Sequence, residues 1–205
     1  MITLHHLQIG RSIFMVWALE EMGIEYDLIP YVRDPATMRA PQTLKKIHPL
    51  GKSPVIEDEG QVIAESGAII SYLLEKHDKT HRLHPPRSDL GVWAEFTQWL
   101  HYPEGSVFAP LLIKMLLMRS QQPHEVLTGF SEGEIALHLG HIQNQLGDRS
   151  YILSEQFSAA DFGIAYVVSM AARLGLLESY PKLQAYLARV KARPAWQRAV
   201  ARAIE

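Results

Sequence analysis

The chain contains no cysteine among its 205 residues. This absence excludes disulfide bonds, metal sites built on thiolates, and every mechanism in which a cysteine of the protein is the nucleophile. Any thiol chemistry that the protein performs must therefore use a thiol that arrives with a ligand.

A strong excess of charge and a long apolar run are also missing. The formal net charge is −2 and the 20 basic residues are scattered, whereas a nucleic-acid-binding protein needs a basic stripe that displaces counterions. No apolar stretch approaches the roughly 20 residues that span a bilayer. The start, MITLHHLQIG, has no secretory signal pattern. We expect a cytoplasmic protein that binds neither nucleic acid nor membrane.

The first eighty residues have the pattern of a small α/β domain. Short apolar runs predict strands at 2–7, 26–32, 55–58 and 61–64, and helical spacing predicts helices at 13–22 and 67–76. Gly23 suits the end of the first helix, and Glu59-Gly60 suits a hairpin turn. The order is β-α-β followed by β-β-α.

The rest of the chain has helical patterns alone. Residues 81–88 are polar and proline-punctuated, which is typical of a linker. Helical patterns follow at 89–101, 106–121, 131–147, 159–175 and 181–192, with a short one near 195–203. We predict an α/β domain at 1–80, a linker at 81–88 and an all-α domain at 89–205.

Two segments of the first domain suit a small peptide ligand. If the Ser53–Pro54 bond is cis, the Val55 amide and carbonyl point outward and can pair with an extended peptide; an ordinary trans proline in a turn is the alternative. Glu65 and Ser66 lie at a helix start, where the helix suits a carboxylate and the acidic residue suits an ammonium group. A plain helix cap beside a solvated glutamate is the alternative.

These segments resemble the glutathione transferases. The resemblance lies in His48-Pro-Leu-Gly-Lys-Ser-Pro-Val55 and Glu65-Ser66-Gly-Ala-Ile-Ile-Ser-Tyr-Leu, and it extends through HYPEGS at 101–106, FSAADF at 157–162, and YPKL and RPAW at 180–183 and 193–196. It covers the whole chain. It implies a thioredoxin-like N-terminal domain, an all-α C-terminal helical domain and a homodimer, with glutathione as co-substrate and no cofactor.

The resemblance also implies roles for individual residues. The Ser53–Pro54 loop would present Val55 to the cysteinyl part of glutathione, and Lys52 would meet the glycyl carboxylate. Glu65 and Ser66 would hold the γ-glutamyl ammonium and carboxylate. A second group, Ser158 and Asp161, has the spacing of a capping box and is assigned to folding.

Activation of the glutathione thiol is where the sequence departs from the family. The positions of the family's tyrosine and serine hydroxyls fall near His5 and Ile9, neither of which is a hydroxyl residue. The remaining candidates are Arg11, Ser12 and one of His5 or His6. We predict that Ser12 and Arg11, with the helix dipole, activate the thiol. A simple helix cap for Ser12, an ion pair for Arg11 and a buried structural role for either histidine are the alternatives.

The segment 99–118 is rich in apolar side chains, which is typical of a helical core. Tyr102, Glu104 and Ser106 interrupt it with polar groups, so we take them as candidates for the wall of an electrophile site. Three histidines at 77, 81 and 84 have a spacing that can seat a metal, but they lead into the proline-rich linker, and we predict no metal.

Three functions remain open at this stage. The first is conjugation of the glutathione thiolate to hydrophobic electrophiles, a detoxification reaction, with peroxidase activity on a hydroperoxide as a possible addition. Glutathione-dependent isomerisation is a related enzymatic alternative. The third is a non-catalytic, glutathione-transferase-like binding module. It stays open because neither of the family's two usual hydroxyl positions has a hydroxyl residue in this sequence.

Overall fold

The structure, a computed structural model, describes residues 1–120 and 122–203. Contacts divide the chain into two compact units, Met1–Arg82 together with the chain from Lys191 onward, and Leu83–Val190. The first unit contains the sheet and the second is helical. The predicted fold class, an α/β thioredoxin-like domain plus an all-α domain, is therefore confirmed. Within the described residues, no helix is long and apolar enough to cross a membrane.

Four strands form the sheet of the first unit: β1 (Ile2–Leu7), β2 (Tyr26–Tyr31), β3 (Val55–Asp58) and β4 (Gln61–Ala64). Their order across the sheet is β2-β1-β3-β4. β1 runs parallel to β2 and antiparallel to β3, and β3 runs antiparallel to β4. Because β1 is an interior strand, the residues that follow its carboxyl end lie near the middle of the row of strand ends on that side of the sheet.

The helices of this unit are α1 (Ile13–Met22), a 3₁₀-helix (Gln42–Lys46) and α2 (Ser66–His77). Gly23 ends α1 in the left-handed conformation, with φ 69°, which a residue without a Cβ adopts at little cost. The turn between β3 and β4 uses positive φ at Glu59 and Gly60, as a two-residue hairpin turn requires.

The last helix, α8 (Pro194–Ala203), belongs to the first unit by its contacts. The Trp196 ring lies edge-on to that of Trp17, with 5.2 Å between centroids. Arg193 pairs with Glu21, and the guanidinium groups of Arg198 and Arg202 both pair with the Glu20 carboxylate. Ala195, Ala199 and Ala203 of the same helix are buried. The predicted domain boundaries stay a prediction, because a compact set of contacts is not the same property as an independently folding domain.

The second unit consists of α3 (Leu90–Tyr102), a π-helical turn (Pro103–Val107), α4 (Phe108–Ser120), α5 (Glu125–Leu146), α6 (Ala160–Arg173) and α7 (Pro181–Lys191). Helix α5 begins six residues before its predicted start at 131. Its first turns leave Val126 and Phe130 exposed. The Asp89 side chain caps α3 by accepting from the amides of Gly91 and Val92.

Candidate active site

Ser12 lies at the start of α1, but its hydroxyl is directed into the protein. The residue is fully buried. Its Oγ accepts from the Leu7 amide at 3.1 Å and lies 3.2 Å from the Leu7 carbonyl oxygen and 2.9 Å from His6 Nδ1. It makes no helix-capping hydrogen bond. The hydroxyl is therefore committed to the end of β1, and neither the capping alternative nor direct donation to a thiol fits this arrangement.

The two histidines of β1 point to opposite faces of the sheet, as strand alternation requires. His5 places Nδ1 2.9 Å from the Tyr31 hydroxyl and Nε2 2.7 Å from a Glu57 carboxylate oxygen. His6 contacts Ser12 instead, and burial lowers its pKa, an effect that the Ala203 carbonyl partly offsets. Both imidazoles are buried: that of His5 joins β1 to the two neighbouring strands, and that of His6 joins β1 to the start of α1.

The loop between β1 and α1 is held by Arg33, a residue that follows β2. Its guanidinium donates to the carbonyls of Gln8 and Ile9, each at 3.0 Å, and to that of Met38 at 2.9 Å. Ile9 and Met38 have φ of 53° and 56°, a region that is unfavourable for residues with a Cβ and most of all for a β-branched one. Arg33 therefore stabilises a backbone path that the sequence alone disfavours.

Gly10 is required in the same loop for a steric reason. A Cβ at this position would lie 2.8 Å from the Leu7 carbonyl oxygen and 3.2 Å from the Arg33 guanidinium. The loop therefore passes close to the end of β1, directly before Arg11 and Ser12. Arg11 itself is half-buried.

Replacing Arg33 should disturb this loop and weaken ligand binding. We expect Arg33→Ala to raise the Kd for glutathione, the ligand that the resemblance implies, by about tenfold, the equivalent of roughly 1.4 kcal/mol. Arg33→Lys should recover little, because a single ammonium cannot reproduce the planar fork of a guanidinium. Calorimetric titration with glutathione measures this change. The control is Arg39→Ala, an exposed arginine of the same segment; equal affinities for the Arg33 and Arg39 variants would contradict a positioning role.

The Ser53–Pro54 peptide bond is cis. The Ser53 hydroxyl donates to the His5 carbonyl at 2.7 Å and accepts from the Leu7 amide at 3.2 Å. The proline loop is therefore joined to the same end of β1 that Ser12 contacts. The structure brings these two candidate segments together.

Val55 was predicted to direct its amide and carbonyl outward to a ligand, but in the structure it lies inside the sheet. It is fully buried in β3, paired with His5 of β1 on one side and Ala64 of β4 on the other. Since both flanks are occupied by strands, the Val55 peptide groups face the sheet and not a ligand. Ser53, two residues earlier, lies outside the strand and is half-buried. Lys52 beside it is exposed.

Glu65 and Ser66 form the start of α2, as predicted, but with an unusual backbone. Glu65 is the residue before the helix and has φ 70° and ψ 122°. A non-glycine residue in such a region costs about 1–3 kcal/mol, and such residues cluster at ligand-binding positions. Its carboxylate makes no capping hydrogen bond and is exposed. Ser66 is the first residue of α2 rather than its cap, whereas the exposed Glu65 carboxylate fits the solvated glutamate of the alternative.

The three residues predicted for the electrophile site lie in the π-helical turn or directly before it. Tyr102 ends α3, and Glu104 and Ser106 lie within the turn; all three are half-buried. Pro103 has no amide hydrogen for the helical ladder, and the Phe108 amide donates to the Pro103 carbonyl five residues earlier. Single π-turns inside helices are frequently found at functional sites.

The sequence analysis did not identify Arg33 as a residue that positions the loop, nor the contact of Glu57 with His5. Arg33 stands in an ordinary polar stretch, and its contacts with the loop cross 24 residues or more of chain. The one available signal was Gly10. A glycine can indicate that two chain segments approach closely, but it does not indicate which residue lies opposite it. Within the described ranges no group of three or more histidine, cysteine or acidic side chains is arranged to hold a metal ion.

Comparison with known proteins agrees with this architecture. The family model described as the glutathione S-transferase N-terminal domain matches residues 1–75, and that of the glutathione S-transferase C-terminal domain matches residues 111–198. Fold and site thus define a two-part protein with a thioredoxin-like unit and a helical unit. The chain belongs to the glutathione S-transferase family.

Individual relatives support the same assignment. Glutathione S-transferase 1 of Saccharomyces cerevisiae is 30% identical, over 91% of this chain and 88% of its own length. Glutathione S-transferase 3 of Schizosaccharomyces pombe is also 30% identical, over 95% of this chain and 85% of its own. A crystal structure of a glutathione S-transferase from Actinobacillus pleuropneumoniae is similar at 30% identity and a TM-score of 0.89, covering 99% of this chain and 93% of the other.

A more distant structure shows the same fold. The glutathione transferase family member from Pseudomonas fluorescens was solved with two glutathione molecules bound; it is 23% identical, with a TM-score of 0.81, and the match covers 97% of this chain and 92% of that one.

Proposed function

We propose that this enzyme conjugates the thiolate of glutathione to hydrophobic electrophiles. The observation that carries the proposal is the strained Glu65, which holds an exposed carboxylate at the start of α2 without using it as a cap. A carboxylate next to free helix amides suits a group that carries an ammonium and a carboxylate on one carbon. The γ-glutamyl end of glutathione is such a group.

The remaining contacts of the tripeptide follow from the loops. Ser66 binds the γ-glutamyl carboxylate together with the first amides of α2. The backbone of Ser53, before Pro54, pairs with the cysteinyl residue in place of Val55, whose peptide groups face the sheet. Lys52, exposed beside it, contacts the glycyl carboxylate. The glutathione bound in the Pseudomonas fluorescens protein is in keeping with this type of ligand.

Thiol activation is assigned to Arg11 and the positive end of α1. A free thiol has a pKa of about 8.5, and each unit of depression needs about 1.4 kcal/mol of preferential stabilisation of the anion. A permanently charged guanidinium beside a helix start supplies stabilisation of this kind. Ser12 contributes by fixing the end of β1 through its buried hydroxyl, rather than by donating to the sulfur.

The test is retention on immobilised glutathione combined with turnover of 1-chloro-2,4-dinitrobenzene. Arg11→Ala should raise the pKa of bound glutathione, followed by thiolate absorbance, by about 1–2 units while the protein still binds the column. Lys46→Ala removes an exposed charge of the same unit and should leave that pKa unchanged. A wild-type protein that is not retained and does not turn over the aryl halide would rule out the proposal.

Several finer points belong to the same proposal. We take the second substrate to be a hydrophobic electrophile or a hydroperoxide, bound near Tyr102, Glu104 and Ser106, with the homodimer as the working form in the cytoplasm. Detoxification is the corresponding role. The buried Ser12 hydroxyl keeps one alternative in view, a non-catalytic glutathione-binding module, which would be retained on the column without turning over either substrate class. Glutathione-dependent isomerisation would show turnover without consumption of glutathione.

A further inference from the structure

The imidazole of His6 has one nitrogen with a partner and one without. The side chain is fully buried in β1, and Nδ1 lies 2.9 Å from the Ser12 hydroxyl oxygen. Within the described part of the chain, Nε2 has no hydrogen-bond partner, and the Ala203 carbonyl of α8 is the backbone acceptor that acts on the imidazole. A buried polar atom without a partner is rare and calls for a physical explanation.

The Ala203 carbonyl is chemically complementary to this nitrogen. Ala203 is the last residue of α8 and is buried, and the last carbonyls of a helix have no partner within the helix. They also form the negative end of the helix dipole. A proton on Nε2 of His6 is therefore directed to an acceptor that the helix itself does not pair.

The position of α8 is fixed by charged contacts with α1 and β2. Arg198 and Arg202 both pair with the Glu20 carboxylate. The Arg202 guanidinium also donates to the Tyr26 carbonyl at 2.6 Å and lies 3.9 Å from the centroid of the Tyr26 ring. Because Arg202 directly precedes Ala203, these contacts also determine where the Ala203 carbonyl lies.

On its other side, His6 is connected to the Ser53–Pro54 loop. The Leu7 amide is shared between the Ser12 hydroxyl, at 3.1 Å, and the Ser53 hydroxyl, at 3.2 Å. Ser53 directly precedes the cis Pro54. A continuous series of contacts therefore leads from α8 through His6 to Ser53, and all of it belongs to the first unit.

The position of the imidazole proton decides how the Ser12 hydroxyl is used. Burial lowers the pKa of His6, so the imidazole is uncharged near neutral pH and carries one proton. If the proton is on Nδ1, this nitrogen donates to Ser12, and the Ser12 hydroxyl donates to the Leu7 carbonyl, 3.2 Å away. If it is on Nε2, Nδ1 accepts from Ser12 instead, and a hydroxyl that donates in this way is a better acceptor for the Leu7 amide.

We propose that His6 is a positioning residue for glutathione, which couples the docking of α8 to the Ser53–Pro54 loop. The proposal rests on the glutathione binding proposed above. With α8 in place, the Ala203 carbonyl accepts from Nε2–H, and Nδ1 accepts from the Ser12 hydroxyl, which in turn holds the Leu7 amide. When α8 is loosened, the Nε2 proton loses its acceptor, the Nδ1–H form becomes the favoured one, and the end of β1 is held less firmly. The last helix thereby influences glutathione affinity through β1.

Nuclear magnetic resonance of the ligand-free protein tests the position of the proton. At about pH 8, well above the ordinary histidine pKa, long-range ¹H–¹⁵N correlations show which imidazole nitrogen is protonated, and the signal missing in His6→Asn identifies this residue. We expect Nε2–H in the wild type, and a shift toward Nδ1–H when Arg198→Ala and Arg202→Ala are combined to loosen α8. Val200→Ala changes an exposed residue of the same helix and should leave the proton in place.

Calorimetric titration with glutathione tests the coupling. In the wild-type background, loosening α8 should raise the Kd at least about fivefold, the lower end of typical coupling between two sites. His6→Asn keeps a polar contact with Ser12 but is too short to reach the α8 carbonyl, so it should raise the Kd to a similar extent. Loosening α8 in the His6→Asn protein should then change the Kd by less than about twofold, because contacts in one series are not additive. A packing role for His6 would instead give the same ratio in both backgrounds.

The outcomes separate this inference from the proposed function. Nδ1–H in the wild-type protein, a proton that does not respond when α8 is loosened, or an equal effect on Kd with and without His6 each overturn the coupling role. The wild-type measurement decides the inference even where a variant does not fold. A wild-type protein that does not bind glutathione overturns the proposed function, and this failure is recognised separately because the resonance measurement needs no ligand.

Discussion

Asp161→Ala is expected to reduce the free energy of unfolding by about 3–5 kcal/mol, because its carboxylate accepts several buried hydrogen bonds whose donors alanine cannot satisfy. The carboxylate is fully buried. It accepts from the amides of Ile152 and Ser158, from the Ser158 hydroxyl, and from the Tyr186 hydroxyl at 3.0 Å. Alanine leaves three donors without this acceptor, while the Tyr186 hydroxyl keeps the carbonyl oxygen of residue 161, 3.3 Å away. Each unmet buried donor costs about 1–3 kcal/mol when taken alone.

This expected loss of stability is larger than the loss from removing an ordinary helix cap. Burial raises the pKa of Asp161 to about 6 against the opposing effect of its hydrogen bonds, so the measurement belongs near pH 7.5, where the carboxylate is ionised and accepts all four bonds. Urea denaturation at one fixed protein concentration gives the comparison. Ser158→Ala, which removes a single hydroxyl, should cost only about 1 kcal/mol. A loss below that value for Asp161→Ala would show that the network is dispensable.

Glu65→Gly is expected to weaken glutathione binding by at least about tenfold while leaving the protein as stable as before, or slightly more stable. The binding loss follows from removal of the carboxylate that is proposed to contact the ligand ammonium, since hydrogen bonds to charged groups contribute about 1.5–3 kcal/mol. The stability gain follows from relief of the strained φ of 70°, partly offset by the greater unfolded-state entropy of glycine.

The matched control is Glu59→Gly. Glu59 is also a glutamate with positive φ, at 49°, but it lies in the β3–β4 turn and is 73% exposed. Only Glu65→Gly should lose affinity for glutathione in calorimetry. Glu59→Gly also removes the exposed ion pair of Glu59 with Lys76, at 2.9 Å, so the two variants are compared by affinity and not by thermal stability. Equal affinities for the two variants would mean that the strain at Glu65 has no connection with ligand binding.

Much of the first unit was predictable because its signals are local. Gly23 and the Glu59-Gly60 pair mark turns whose backbone only certain residues adopt at low cost, and the apolar runs between them have strand or helix spacing. The docking of α8 on α1 was not predictable in this way. It depends on pairs such as Arg198 with Glu20, 178 residues apart, and a helix face rich in alanine and arginine does not indicate which part of the chain will cover it.

In the candidate site, too, the features that depend on local sequence were predictable and those that depend on tertiary contacts were not. Ser53, Pro54, Glu65 and Ser66 were singled out from local patterns and assigned to the site through the family resemblance, and the structure places them at strand and helix ends. The surroundings of Val55 and Ser12 depend on tertiary packing. Val55 is flanked by strands on both sides, and Ser12 turns its hydroxyl toward β1, and neither fact follows from the spacing of residues in the chain.

The most direct test of the account titrates the wild-type protein with two tripeptides of identical composition, γ-Glu-Cys-Gly and its α-linked isomer. The γ-linked form leaves an ammonium and a carboxylate on one carbon, the pair that Glu65 and Ser66 are proposed to bind, whereas the α-linked form does not. We predict at least about tenfold tighter binding of the γ-linked peptide, roughly 1.4 kcal/mol. Equal affinity for the two peptides, or binding of neither, would contradict the assignment of this site.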